Sequence, residues 1–214
     1  MNLVCFPHYT AGGLLCEVLN STVSGIGFNG GFSNSFHSLG KIGDSDTIFD
    51  LYDPGDLYEK LRYSGADDTT WAGTHCWPGL LDLTRFHQVI NVTTATYRSK
   101  LFRWARAYVH YFQNTGEVKG LLDLEKKDKM RLLAKNYIKP FLPVTGSNVL
   151  NLEFSSIVDF DTQANSIIGD NPRYKFWKDN NTFLYDPDFW QSDIVERFHE
   201  AEFEVVTGTD YVYK

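Results

Sequence analysis

The chain has 214 residues, with 20 Lys and Arg against 27 Asp and Glu, for a formal charge of −7. At 43% hydrophobic and 15% aromatic residues it has material for a substantial core, which excludes disordered, collagen-like and low-complexity classes. The acidic balance argues against a nucleic-acid binder working through bulk positive charge, and a single domain over 1–214 is the expectation for this length.

In chain order, residues 2–6 form a short apolar run expected to be a buried strand. Pro7-His8-Tyr9-Thr10-Ala11-Gly12-Gly13 is turn-forming, and 14–19 returns to an apolar pattern suited to a helix. Residues 21–46, rich in Gly, Ser and Asn, read as a surface loop, and a loop of that length in a compact domain is expected to be either functional or mobile. Asp53-Pro54-Gly55-Asp56 fits a helix start, with Leu57, Tyr58 and Leu61 following. A second strand is expected at 69–74, ended by His75-Cys76-Trp77-Pro78-Gly79, and a short apolar segment at 80–83. Residues 88–94 predict a third strand that leads into a helix over 96–112. Leu101, Phe102, Ala105, Val109 and Phe112 line one side of that helix, and Arg98, Arg103 and Arg106 are placed on its solvated face. Another helix is expected at 121–137, a fourth strand at 148–154 and an amphipathic helix at 188–205. Strands alternating with helices predict an α/β three-layer sandwich with a mainly parallel central sheet.

Cys5, Cys16 and Cys76 are far apart and form no CxxC, so neither a disulfide framework nor a cysteine zinc site is expected, and no metal is. The opening run is too short and too poor in basic residues for a secretory signal, and no stretch of about 18 apolar residues occurs. A cytoplasmic protein with no membrane span is the expectation.

Three stretches have the makings of a site. Glycines after a first strand let backbone N–H groups surround an anion, and the helix that follows adds its positive end. Residues 7–13 fit that pattern without the Gly-Lys-Ser/Thr of a Walker loop. His75 falls at the carboxyl end of a strand, where open parallel sheets collect ligands, and an imidazole suits general-base work near neutral pH. Thr96, Arg98 and Ser99 gather hydroxyls, a guanidinium and a helix start, which suits a second phosphate.

Taken together, these segments resemble the P-loop sulfotransferase superfamily. The run from Phe6 to Leu15 resembles the loop, Pro-Lys-Ser-Gly-Thr-Thr in the family, that holds the 5′-phosphosulfate. Thr74-His75-Cys76-Trp77-Pro78 resembles the element Thr-His-Leu-Pro, and residues 89–108 resemble the strand and helix that hold the donor's 3′-phosphate. Val149-Leu150-Asn151-Leu152-Glu153-Phe154 resembles a late strand, and Ile168-Gly169 falls where the family has Phe-Leu-Gly. The resemblance implies a P-loop NTPase-like, sulfotransferase-like fold and sulfuryl transfer from 3′-phosphoadenosine 5′-phosphosulfate to a hydroxyl or amine, with no metal. It implies His75 as the base, His8 in the place of the loop lysine, and Tyr9, Thr10, Ala11, Gly12, Gly13, Leu14, Arg98 and Ser99 as donor-binding residues. The chain departs from the family in having Thr94 where an Arg ends the 3′-phosphate strand and Gly73 where a Lys precedes the histidine. Two rival expectations are a non-catalytic binding protein on the same fold and a P-loop nucleotide kinase. No nucleic acid or membrane is expected as a partner.

Overall fold

Alternating side chains decide how the opening apolar run is used: Leu3 and Cys5 face one core cluster, Val4 and Phe6 the other. A strand apolar on both faces belongs in the middle of a sheet covered on both sides, and this one lies between two others. The computed structural model describes residues 1–24, 57–63, 66–109, 140–191 and 194–207. Within them run β1 (Asn2–Cys5), α1 (Gly12–Ser24), α2 (Leu57–Tyr63), β2 (Trp71–Thr74), β3 (Val89–Thr93), α3 (Tyr97–Val109) and β4 (Val149–Glu153). There follow α4 (Phe154–Asp159), α5 (Thr162–Ile168), α6 (Pro172–Asp179), α7 (Pro187–Gln191) and α8 (Ile194–Thr207).

The four strands form one parallel sheet in the order β2-β1-β3-β4, flanked by helices, so the protein is α/β. On one face, Val4, Phe6, Ile90, Val92 and Leu152 pack against Leu14, Leu15 and Val18 of α1, Phe102 of α3 and Ile157 of α4. On the other, Leu3, Cys5, Ala72 and Val89 meet Leu57 and Leu61 of α2 and Phe86. The chain leaves β1 toward β2 on one side and β3 toward β4 on the other. The carboxyl ends of β1 and β3 therefore flank the point where the strand order reverses, the usual ligand position in open α/β sheets.

Several expected boundaries move. Residues 21–24 belong to α1 rather than to a loop, and the helix begins at Gly12, two residues early. The segment around 80–83 is two 3-10 turns, Pro78–Leu80 and Leu83–Arg85, the second capped by Asp82 accepting from the Thr84 N–H. The helix expected at 188–205 is two, α7 and α8. Between β4 and α7, where no element was expected, lie α4, α5, α6 and a 3-10 turn. The loop at 25–46, the helix start at 53–56, the helix at 121–137 and the end of the 96–112 helix lie outside the described residues.

Candidate functional site

The site begins where β1 and β2 end side by side. The Phe6 N–H donates to the Thr74 carbonyl at 3.0 Å, extending the ladder by one step. At the next step the His75 side chain replaces a backbone donor: its Nδ1 lies 3.0 Å from the Phe6 carbonyl. A carbonyl only accepts, so Nδ1 carries the proton and the lone pair is on Nε2. The Thr74 hydroxyl, buried with its strand, accepts from the Cys76 N–H at 3.1 Å and fixes the turn that presents the imidazole. The ring stacks on His8, with centroids 3.8 Å apart, and meets Phe6 edge-on at 4.6 Å. Burial holds the His75 pKa below its ordinary 6.5, and the Arg103 guanidinium adds to this while the Phe6 hydrogen bond opposes it. The imidazole is therefore neutral near pH 7, the state a base requires.

The turn after β1 is held from α3. Arg103 Nε donates to the His8 carbonyl at 2.8 Å, and the Arg106 guanidinium donates to the Thr10 carbonyl at 2.7 Å. Arg106 also donates to Asn181 Oδ1 at 2.7 Å and lies over the Trp177 ring. Burial lowers its pKa to about 10, so it keeps its charge at neutral pH. In a planar trans peptide the C=O of one residue and the N–H of the next point opposite ways. Drawing the carbonyls of His8 and Thr10 to α3 therefore turns the N–H groups of Tyr9 and Ala11 away from it. Tyr9 holds a left-handed φ of 62°, uncommon for a side-chain-bearing residue and of a kind that collects at functional turns. The Thr10 hydroxyl donates to the Pro7 carbonyl at 2.7 Å, closing the turn on itself. Gly12 lies under Phe6, where an added Cβ would sit 1.9 Å from the ring. Leu14 is part of the core, so only its backbone faces the turn.

Arg98 and Ser99 sit at the head of α3, beyond β3; Ser99 is engaged where β4 passes into α4, and Arg98 by the far end of α4. Arg98 donates to Asp159 at 2.7 Å in an exposed pair. The Ser99 hydroxyl donates to Glu153 Oε2 at 2.5 Å and accepts from the Ser155 N–H at 2.9 Å. Glu153 Oε1 accepts from the Ala95 N–H at 3.2 Å, and Oε2 accepts from the Thr96 hydroxyl at 3.3 Å. Thr94, aligned with an arginine in the family, is buried, with its hydroxyl accepting from the Phe141 N–H at 3.0 Å.

The structure thus brings His8, His75 and residues 9–13 together at one corner of the sheet. Arg98 and Ser99 lie at the neighbouring corner, bound to carboxylates. Arg103 and Arg106, expected on a solvated face, are instead the posts of the β1 turn, Arg103 being 4% exposed. The signal was present: Phe102, Trp104, Ala105, Ala107 and Val109 surround the helix with apolar side chains and leave little of its circumference for water. The role of Glu153 had no such signal, since it depends on β4 lying beside β3. Cys5, Cys16 and Cys76 are buried thiols outside any disulfide, with burial raising the thiol pKa of Cys5 and Cys16. Among the described residues no cluster of His, Cys, Asp and Glu has the makings of a metal site, and no helix is long and apolar enough to cross a membrane. Compared with protein-family models, with curated proteins and with solved structures, the chain has no match.

Proposed function

We propose that the protein transfers a sulfuryl group from a nucleotide 5′-phosphosulfate to a hydroxyl or amine, with the β1 turn as the anion cradle and His75 as the base. The observation that carries this reading is the contact of His8 and His75 at the ends of adjacent parallel strands, beside a turn whose carbonyls are drawn to α3. In the step, His75 Nε2 takes the acceptor's proton as the acceptor's oxygen or nitrogen bonds to sulfur. The bond from sulfur to the bridging oxygen breaks, and that oxygen leaves with the electron pair on the nucleotide's 5′-phosphate. His8 and the amides of the turn stabilise the charge that develops there, each charge-assisted hydrogen bond contributing about 1.5–3 kcal/mol. As in phosphoryl transfer, positioning and electrostatics supply most of the catalysis.

A second reading, a binding protein without turnover, is favoured by the cations. The turn has His8 in place of a lysine, Arg103 and Arg106 donate to backbone carbonyls, and Arg98 pairs with Asp159. Calorimetric titration with adenosine 5′-monophosphate and adenosine 3′,5′-bisphosphate, the desulfated forms of the two phosphosulfate donors, tests both readings. Micromolar binding of either supports a nucleotide site at the turn; no heat at millimolar ligand overturns it. Binding without release of nucleotide from the phosphosulfate donors, across a panel of hydroxyl and amine acceptors, would leave the second reading standing.

A further inference from the structure

The head of α3 has the parts of an anion seat. The Ala95 N–H and the Thr96 and Ser99 hydroxyls converge at the positive end of a 13-residue helix. The anion in that seat belongs to the chain itself. Parallel pairing of β3 with β4 sets Thr93 opposite Glu153, so the carboxylate emerges one residue before the turn into α3. Glu153 ends β4 at the N-cap of α4 and makes no side-chain capping bond to it; both side-chain oxygens accept from residues at the head of α3. A second carboxylate, Asp159, holds the guanidinium of Arg98 on the same turn of α3. Thr94, the residue after β3, is engaged by the 140–144 segment through Phe141. Two negative charges from one short stretch of chain thus occupy the donors and the cation that a ligand phosphate would need.

We infer that Glu153 determines donor specificity: its carboxylate holds the anion seat at the head of α3, so the nucleotide taken at the β1 turn carries its 5′-phosphosulfate and no phosphate at the 3′ position. This rests on the reading of the β1 turn as a nucleotide 5′-phosphosulfate site. A dianionic phosphate brought to that seat meets Glu153 at hydrogen-bond range, and like charges that close disfavour each other strongly once partly buried. Displacing the carboxylate also strips the Ala95 N–H and the Ser99 hydroxyl of their acceptor until the ligand replaces it.

The test is the ratio of dissociation constants for adenosine 3′,5′-bisphosphate and adenosine 5′-monophosphate, in the wild type, in Glu153→Gln and in Glu153→Ala. Gln keeps the size and an acceptor oxygen, so it remains interpretable if Ala fails to fold, and a thermal melt reports the fold of each. Expected is a wild-type preference of at least about tenfold for the monophosphate, falling or reversing by about tenfold in the variants. Equal or tighter wild-type binding of the bisphosphate overturns this inference and leaves the nucleotide site intact. An unchanged ratio in a folded Glu153→Gln does the same. Failure of both nucleotides to bind the wild type overturns the nucleotide reading and this inference with it.

Discussion

At the residue scale, His75 is held in one tautomer and one charge state by three neighbours acting together. The Phe6 carbonyl claims the Nδ1 proton, the stacked His8 ring limits solvent, and Arg103 opposes a second positive charge nearby. The exclusion of solvent and Arg103 favour a neutral imidazole, while the Phe6 bond, which by itself raises the pKa, sets the lone pair on Nε2. Replacing His75 with Ala should therefore abolish transfer, by about a hundredfold or more, the usual scale of a lost general base. Donor-product affinity should change by less than about threefold, since the turn's amides and arginine posts are untouched. Rate and affinity measured on the same preparation check this. A parallel fall in both would assign His75 a structural role through Phe6.

At the element scale, the β1–α1 turn is the part with the least freedom. Phe6 closes the ladder to β2, bonds His75 through its carbonyl and lays its ring on Gly12. A Gly12→Ala substitution places a methyl inside that ring, so Phe6 must move, and His75 with it. Overpacking of this kind costs about 1–3 kcal/mol. The Phe6→Leu background should recover part of it, because the two positions are in contact and such pairs couple by about 0.5–3 kcal/mol. Chemical denaturation of the four members of this cycle measures the coupling, and strict additivity would refute the packing account. Further along, α5 and α6 begin at sequence-visible caps: Asp161 accepts from the N–H groups of Gln163 and Ala164, and Asn171 precedes Pro172. Gly169 ends α5 at φ 54° and ψ −155°, a region essentially restricted to glycine. These helices are short, and their apolar residues do not repeat over enough turns to stand out as a period.

At the scale of the whole molecule, a buried carboxyl ties the β1 turn's helix to its surroundings. Glu17 lies on α1 facing α5 and α6, and its Oε1 makes no hydrogen bond among the described residues. Burial raises its pKa from the ordinary 4.5 to about 7, with Arg173 of α6 pulling the other way. Between those values the folded protein holds a proton that the unfolded chain has released. This contribution is complete below about pH 4.5 and is lost as the pH rises through 7. His75 acts in the opposite sense: its lowered pKa makes the fold lose stability as the pH falls below 6.5. Glu17→Gln separates the two. Its stability relative to wild type should rise by on the order of 2 kcal/mol between pH 4.5 and pH 8. Thermal melts across that range supply the comparison, and a difference that does not vary with pH would show that Glu17 does not titrate there.

The four strands, the direction of the sheet and the turn rich in glycine were legible from the sequence, because alternation of strand and helix patterns and Gly-Gly after an apolar run are local facts. His75 at a strand end was legible for the same reason. The short helices after β4, the division of the last helix and the carbonyl partners of Arg103 and Arg106 were not. Tertiary structure decided these, since a charged residue is buried only when distant carbonyls arrive to receive its donors, here those of His8 and Thr10 some 95 positions away. The partner of Ser99 was equally out of reach. Only the pairing of β3 with β4 brings Glu153 to the head of α3, and a strand's neighbour is set by the burial of whole faces, not by its own residues.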